Sequence, residues 1–160
     1  MFLLKTLICQ IFLQLAVTAT EAAACPEGWV DGSVVDMGCL KFISEQHYSW
    51  DDANNYCQNE ENAAPLEIHT EEQLELVKIE LKELEVNGEG QHWWWVGATD
   101  SGREGQWYWA ASLTPVDDFV WSADRSPTTV FNCMILHYGH DYEGYEQPCE
   151  HKYYPICQKM

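Results

Sequence analysis

Seven cysteines in 160 residues constrain this chain more than any other feature. An odd number cannot pair completely, and the N-terminus accounts for the remainder. Residues 1–24 open with a single cation, Lys5, then run apolar from Leu7 to Val17 with Gln10 and Gln14 as interruptions, and close on Ala19, Ala22, Ala23 and Ala24. This is the layout of a secretory signal peptide. A membrane anchor would need about 18 or more apolar residues, and the two glutamines and the short run argue against it. Cys9 leaves with the signal peptide, and cleavage before Cys25 leaves an even six: Cys25, Cys39, Cys57, Cys133, Cys149 and Cys157. The chain is then expected to be secreted and extracellular, with no membrane span after cleavage. In an oxidising compartment six cysteines read as a disulfide framework. Six allow fifteen pairings, and their order alone does not choose among them. No Cys-x-x-Cys occurs, and the spacings do not suit a zinc finger.

The length fits one domain, residues 25–160. There are 26 acidic residues against 8 basic ones, a formal net charge of −18. Phosphate recognition rests on clustered Lys and Arg, so nucleic acid is excluded as a partner and anionic membrane surfaces are disfavoured. At 46% hydrophobic and 13% aromatic, the chain has ample apolar surface to bury, which excludes disorder.

Local patterns predict the elements. Cys25 to Trp29 and Met37 to Phe42 face each other across an Asp31-Gly32-Ser33 turn, as in a hairpin. Ser49 is a good N-cap, Asp51 and Asp52 suit the positive end of a helix dipole, and Trp50, Ala53 and Cys57 fall on one face. Thr70-Glu-Glu-Gln73 is a capping box, followed by Leu74, Val77, Leu81 and Leu84 at helical spacing, with Asn87-Gly88 ending that helix. From Trp93 onward the pattern changes to short strands. Trp93 and Trp95 share one side of a strand, as do Trp107 and Trp109. Such an aromatic run is either core or a stacking platform. No internal repeat and no Asn-x-Ser/Thr sequon occurs.

These pieces together resemble the C-type lectin-like domain over Cys25 to Cys157. Cys25-Pro-Glu-Gly-Trp29 resembles the opening of the long form of that domain. Ser49-Trp50 through Tyr56-Cys57 resembles its first helix, and Trp95-Val-Gly-Ala98 its Trp-Ile-Gly-Leu motif. Gly105-Gln-Trp107-Tyr-Trp109 resembles its paired-tryptophan strand. Trp121, Pro127, Cys133, Cys149 and Ile156-Cys157 resemble its long-loop region and last strand. Secreted invertebrate, perlucin-like members are similar in style. The resemblance implies an α+β fold: two helices packed on short antiparallel sheets, with a long loop region and three disulfides. It also implies the pairs Cys25–Cys39, Cys57–Cys157 and Cys133–Cys149.

The resemblance further implies where a calcium-dependent sugar site would sit. Its ligands come from a triplet around a proline, cis by family habit, from a residue two before the first inner cysteine, and from a pair before the second. Calcium takes roughly six to eight hard oxygens, several of them carboxylates, and sugar hydroxyls complete the shell. Here the triplet is Ser126-Pro127-Thr128, the next position is Phe131, and the pair is Tyr145-Glu146. Only Glu146 is a carboxylate. The usual calcium site is therefore expected to be degraded: no cofactor is required, and calcium binds weakly at best, through Glu146. The expected ligand-binding residues are Ser126, Pro127, Thr128, Tyr142, Glu143, Tyr145 and Glu146. Tyr142 and Tyr145 come from the Tyr- and carboxylate-rich run His137 to Glu146, which reads either as a recognition surface or as a solvated acidic loop tip. His137-x-x-His140-Asp141 is a minor transition-metal candidate. His47, His69, His92 and His151 show no partner pattern.

No nucleophile elbow, zinc-protease motif, phosphate loop or dinucleotide fingerprint occurs, so an enzyme is not expected. The leading expectation is a non-catalytic module that binds glycans or microbial surface polymers, as in innate immunity. An acidic matrix or mineral-associated protein and a protein-binding module remain as alternatives.

Overall fold

The computed structural model describes residues 25–89 and 92–160, with the side chains of Gly88 and Glu89 left aside. The signal peptide expected over residues 1–24 lies outside the described residues. Among the described residues two α-helices and eight short strands form in the order β1 (Val30–Asp31), β2 (Cys39–Phe42), α1 (Trp50–Asn59), β3 (Ala64–Pro65), α2 (Glu71–Leu84), β4 (Trp93–Thr99), β5 (Tyr108–Trp109), β6 (Cys133–His137), β7 (Glu143–Gln147) and β8 (Tyr154–Lys159). The strands hydrogen-bond in the order β1-β2-β8-β4-β6-β7, with β3 added on β8 and β5 on β4. Among these strands of the described residues, β4 and β8 are the only pair that runs parallel. This is the expected α+β architecture. Among the described residues no helix is long and apolar enough to cross a membrane.

Local chemistry starts both helices. The Ser49 hydroxyl accepts from the Asp52 N–H at 3.3 Å, and the Thr70 hydroxyl from the Gln73 N–H at 3.2 Å. Each satisfies one of the orphan donors of a first turn. Gln73 departs from the capping box: its Oε1 accepts from the His69 N–H at 2.7 Å, and its Nε2 donates to the Val35 carbonyl at 3.0 Å. α2 thereby also holds the turn between β1 and β2. Its end differs from expectation too. The α-helix stops at Leu84 and Glu85–Glu89 continue as one π-helical turn, so Asn87 lies inside that turn.

β4 is buried on both faces, which explains its unbroken apolar run. Trp94, Val96 and Ala98 face the main core with Leu74, Val77 and Leu81 of α2. Trp95 faces the other way, against Trp50 and Ala53 of α1 and Ile135 of β6, with Trp93 beside it. Two indole N–H groups lock the layers: Trp50 Nε1 donates to the Val96 carbonyl and Trp95 Nε1 to the Tyr48 carbonyl, each at 2.8 Å. Gly97 is required by close approach, since a Cβ there would lie 3.1 Å from Pro65 Cγ. Most of the expected aromatic run is thus core.

All three disulfides implied by the resemblance are formed: Cys25–Cys39, Cys57–Cys157 and Cys133–Cys149. The second fastens α1 to β8, and the third ties the start of β6 to the segment after β7.

Candidate functional site

The long segment 110–132 between β5 and β6 builds the site, and two buried carboxylates hold it. Glu67 is 7% exposed, and its Oε1 accepts from the N–H groups of Ala111 and Ser112 at 3.0 and 2.9 Å. Glu146 of β7 is 3% exposed, and its Oε2 accepts from the Thr128 N–H at 2.8 Å. Between these anchors, Trp121 packs edge-on against Trp107 with ring centroids 4.7 Å apart, and the Ser122 N–H donates to the Gly144 carbonyl at 3.0 Å.

Over this frame the chain forms a partly open cavity of about 190 Å³. Ser126, Thr128, Phe131, Tyr145 and Glu146 all line it. The five positions that the resemblance marked therefore converge on one place. Arg125 and Gln147 complete the lining. The Arg125 guanidinium lies 3.7 Å from the Trp121 ring centroid and donates through Nη1 to Glu146 Oε1 at 3.3 Å. The Thr128 hydroxyl accepts from the Phe131 N–H at 3.1 Å and shapes the turn that brings Phe131 inward. Burial pushes the Glu146 carboxyl above its ordinary range; the Thr128 N–H and the Arg125 charge oppose this, while Asp100 and Glu104 add to it.

The other marked residues lie elsewhere. Pro127 is exposed and outside the cavity lining, and every peptide bond among the described residues is trans, Ser126–Pro127 included. Tyr142 requires a correction. It is 2% exposed in the main core, and its hydroxyl donates to Glu85. Asp141 and Tyr142 are both left-handed, with φ of 53° and 57°, and the Tyr142 ring is packed in the core rather than exposed as a ligand-stacking surface. Burial pushes its phenol well up, and the Glu85 carboxylate adds to this. Glu143 is also outside the lining, 3.7 Å from Lys78 Nζ. Asp141 pairs with Lys82 at 2.5 Å and Lys78 at 3.5 Å, so it does not join a metal site with the histidines. The His137 and His140 rings do meet, with centroids 4.7 Å apart. His140 also stacks on Tyr145 at 4.9 Å.

The family's calcium is tested by the donors present. The five positions supply two aliphatic hydroxyls, one phenol and one carboxylate, and that carboxylate already accepts from Thr128 and Arg125. Calcium wants several carboxylates, and no three His, Cys, Asp or Glu side chains among the described residues are grouped to hold a metal ion. Two further oxygens nearby, Asp100 Oδ1 and Asn132 Oδ1, are buried without a hydrogen-bond partner among the described residues. They bring a single charge and lie outside the cavity lining. These residues do not fit a sugar-coordinating calcium.

Sequence reasoning missed Arg125, Gln147 and Asp100. One signal was present for Arg125: it is the only Lys or Arg between Arg103 and Lys152, so any buried carboxylate in that stretch had one local partner to take.

Comparison with known proteins agrees with this architecture. Residues 46–159 match the family model described as the lectin C-type domain. The rat protein C-type lectin domain family 9 member A is 24% identical over 152 residues, covering 94% of this chain and 58% of that protein. Rat asialoglycoprotein receptor 2 is 34% identical over 106 residues, covering 66% of this chain and 29% of that protein. The chain thus spans little more than half of the first relative's length and under a third of the second's. The crystal structure of human lithostathine superposes with a TM-score of 0.72 at 25% identity, covering 87% of this chain and 92% of that one. On the family match, the shared architecture and the three disulfides, this chain belongs to the C-type lectin domain family.

Proposed function

We propose that this chain is a secreted, non-catalytic recognition module that binds carbohydrate in the Ser126–Gln147 cavity without calcium. One observation carries the reading: all five family positions line one cavity, yet they bring a single carboxylate. The lining suits a sugar bound directly. Phe131 and Tyr145 bring aromatic rings to the lining, one face of Tyr145 being covered by His140, the Ser126 and Thr128 hydroxyls both donate and accept, and the Gln147 amide adds both functions. The name of asialoglycoprotein receptor 2 supports a glycan as ligand class. The apolar run from Leu7 to Val17 supports secretion, and glycans of microbial surface polymers are the targets we propose, with a role in innate immunity.

A glycan array run with calcium and with chelator tests this. Binding is expected to be equal in both, and Tyr145→Ala should weaken it about tenfold, the loss of one stacked ring. An array that is flat in both conditions, or a signal that chelator abolishes, contradicts the proposal.

The charge favours a second reading, an acidic mineral- or matrix-associated protein. Lys41, Lys78, Lys82 and Arg125 are each paired with carboxylates, and a net charge of −18 remains after every basic residue has been counted. Crystal growth slowed by this protein, but not by a neutral domain of the same family, would favour that reading over the first.

A further inference from the structure

We propose that the Arg125 guanidinium is the resident cation of this pocket, a positioning residue that holds Glu146 and the segment 125–131 in place of a metal. The inference deepens the calcium-free part of the proposed function.

A carboxylate as buried as Glu146 is costly unless a charge and hydrogen bonds compensate it. Its surroundings work against it, since Asp100 and Glu104 are both felt at its carboxyl. Few cations are available. Lys41 is held by Glu61, and Lys78 and Lys82 by Asp141; Lys159 lies over the Trp29 ring and Arg103 over the Tyr108 ring. Arg125 alone reaches Glu146 among the described residues.

Arginine suits the task for a geometric reason. A planar guanidinium stacks on an aromatic face and donates from its edge at the same time, whereas a lysine ammonium is a point charge. Here one face covers Trp121, and the edge meets Glu146 Oε1. Glu146 Oε2 takes the Thr128 N–H. The chain Trp121–Arg125–Glu146–Thr128 ties the start and the middle of the segment 125–131 to β7. A bound metal would secure such a wall by drawing loop oxygens to itself; here one side chain of the loop brings the positive charge.

Melting of the full secreted protein tests this without any ligand, so a failed glycan array leaves it standing or falling on its own. Four proteins are compared in chelator and in 1 mM calcium: wild type, Arg125→Met, Arg125→Lys and the double variant Arg125→Met with Glu146→Gln. Arg125→Met keeps an apolar stem over Trp121 but strands the buried carboxylate, and should melt about 10 °C below wild type. Arg125→Lys should recover a substantial part of that loss. The double variant, with no charge left to compensate, should return to within about 3 °C of wild type. Chelator should move none of the four. If Arg125→Met melts like wild type, if the double variant melts no higher than Arg125→Met, or if chelator lowers the wild-type midpoint, the proposal is overturned. Should Arg125→Met fail to fold, recovery of a folded double variant supports the proposal, and failure of both overturns it.

Discussion

Replacing Cys57 and Cys157 together by serine is expected to lower the melting temperature by about 10–15 °C, the largest effect of any bridge in this chain. The two residues are 100 apart in sequence, so in the chain-entropy model the bridge removes about 4–5 kcal/mol of freedom from the unfolded state. For a domain of this size each kcal/mol moves the midpoint by roughly 2–4 °C. The location adds to the effect. Cys57 closes the buried face of α1, Cys157 pairs with both Lys41 of β2 and Pro65 of β3, and both sulfurs lie in one apolar cluster with Ile43. The control is the Cys25–Cys39 pair, 14 residues apart, whose loss should cost about 3 kcal/mol. Calorimetry of the two double variants should rank them in that order. Equal losses would show that something other than loop closure sets the contribution.

Trp95→Ala is expected to destabilise by about 3–5 kcal/mol, enough to consume much of a typical domain's margin. The indole is 2% exposed and fills the space between α1 and the sheet beside Trp50, Ala53 and Ile135. Trp95→Phe separates packing from polarity. It keeps most of the ring volume and loses the hydrogen bond to the Tyr48 carbonyl, which still accepts from the Tyr153 N–H at 2.9 Å. That variant should cost only about 1–1.5 kcal/mol. Denaturant midpoints of the two variants measure both, and a Phe variant as damaged as the Ala variant would contradict this account of the cluster.

Sequence reached far into the fold because local chemistry decides much of it. Ser49 and Thr70 cap helices by contacts within three residues, and the indoles of β4 alternate by the geometry of a strand. The disulfide pairs were legible only through the family resemblance, since six cysteines leave fifteen pairings open. Contacts remote in sequence were hidden. Tyr142 sits in a run rich in Tyr and Gly and reads as a surface, yet two successive left-handed residues and a partner at Glu85 accompany its place in the core. The same partner lies in the turn that extends α2 beyond Leu84, which the Asn87-Gly88 stop signal did not anticipate. At the site, the five marked positions do come together, because they are fixed by the segment's two anchors and by β7. Arg125 was missed because its role needs Glu146, 21 residues further on, and Trp121, four residues before, to meet on one side chain.

Calorimetric titration of calcium into the purified, chelator-treated protein bears most directly on the claim that this pocket carries its own cation. The expected result is no saturable heat and no shift of the melting midpoint up to 1 mM calcium. Saturable binding below 1 mM that Glu146→Gln abolishes, while Asp100→Asn leaves it intact, would place the metal in the pocket and contradict the account.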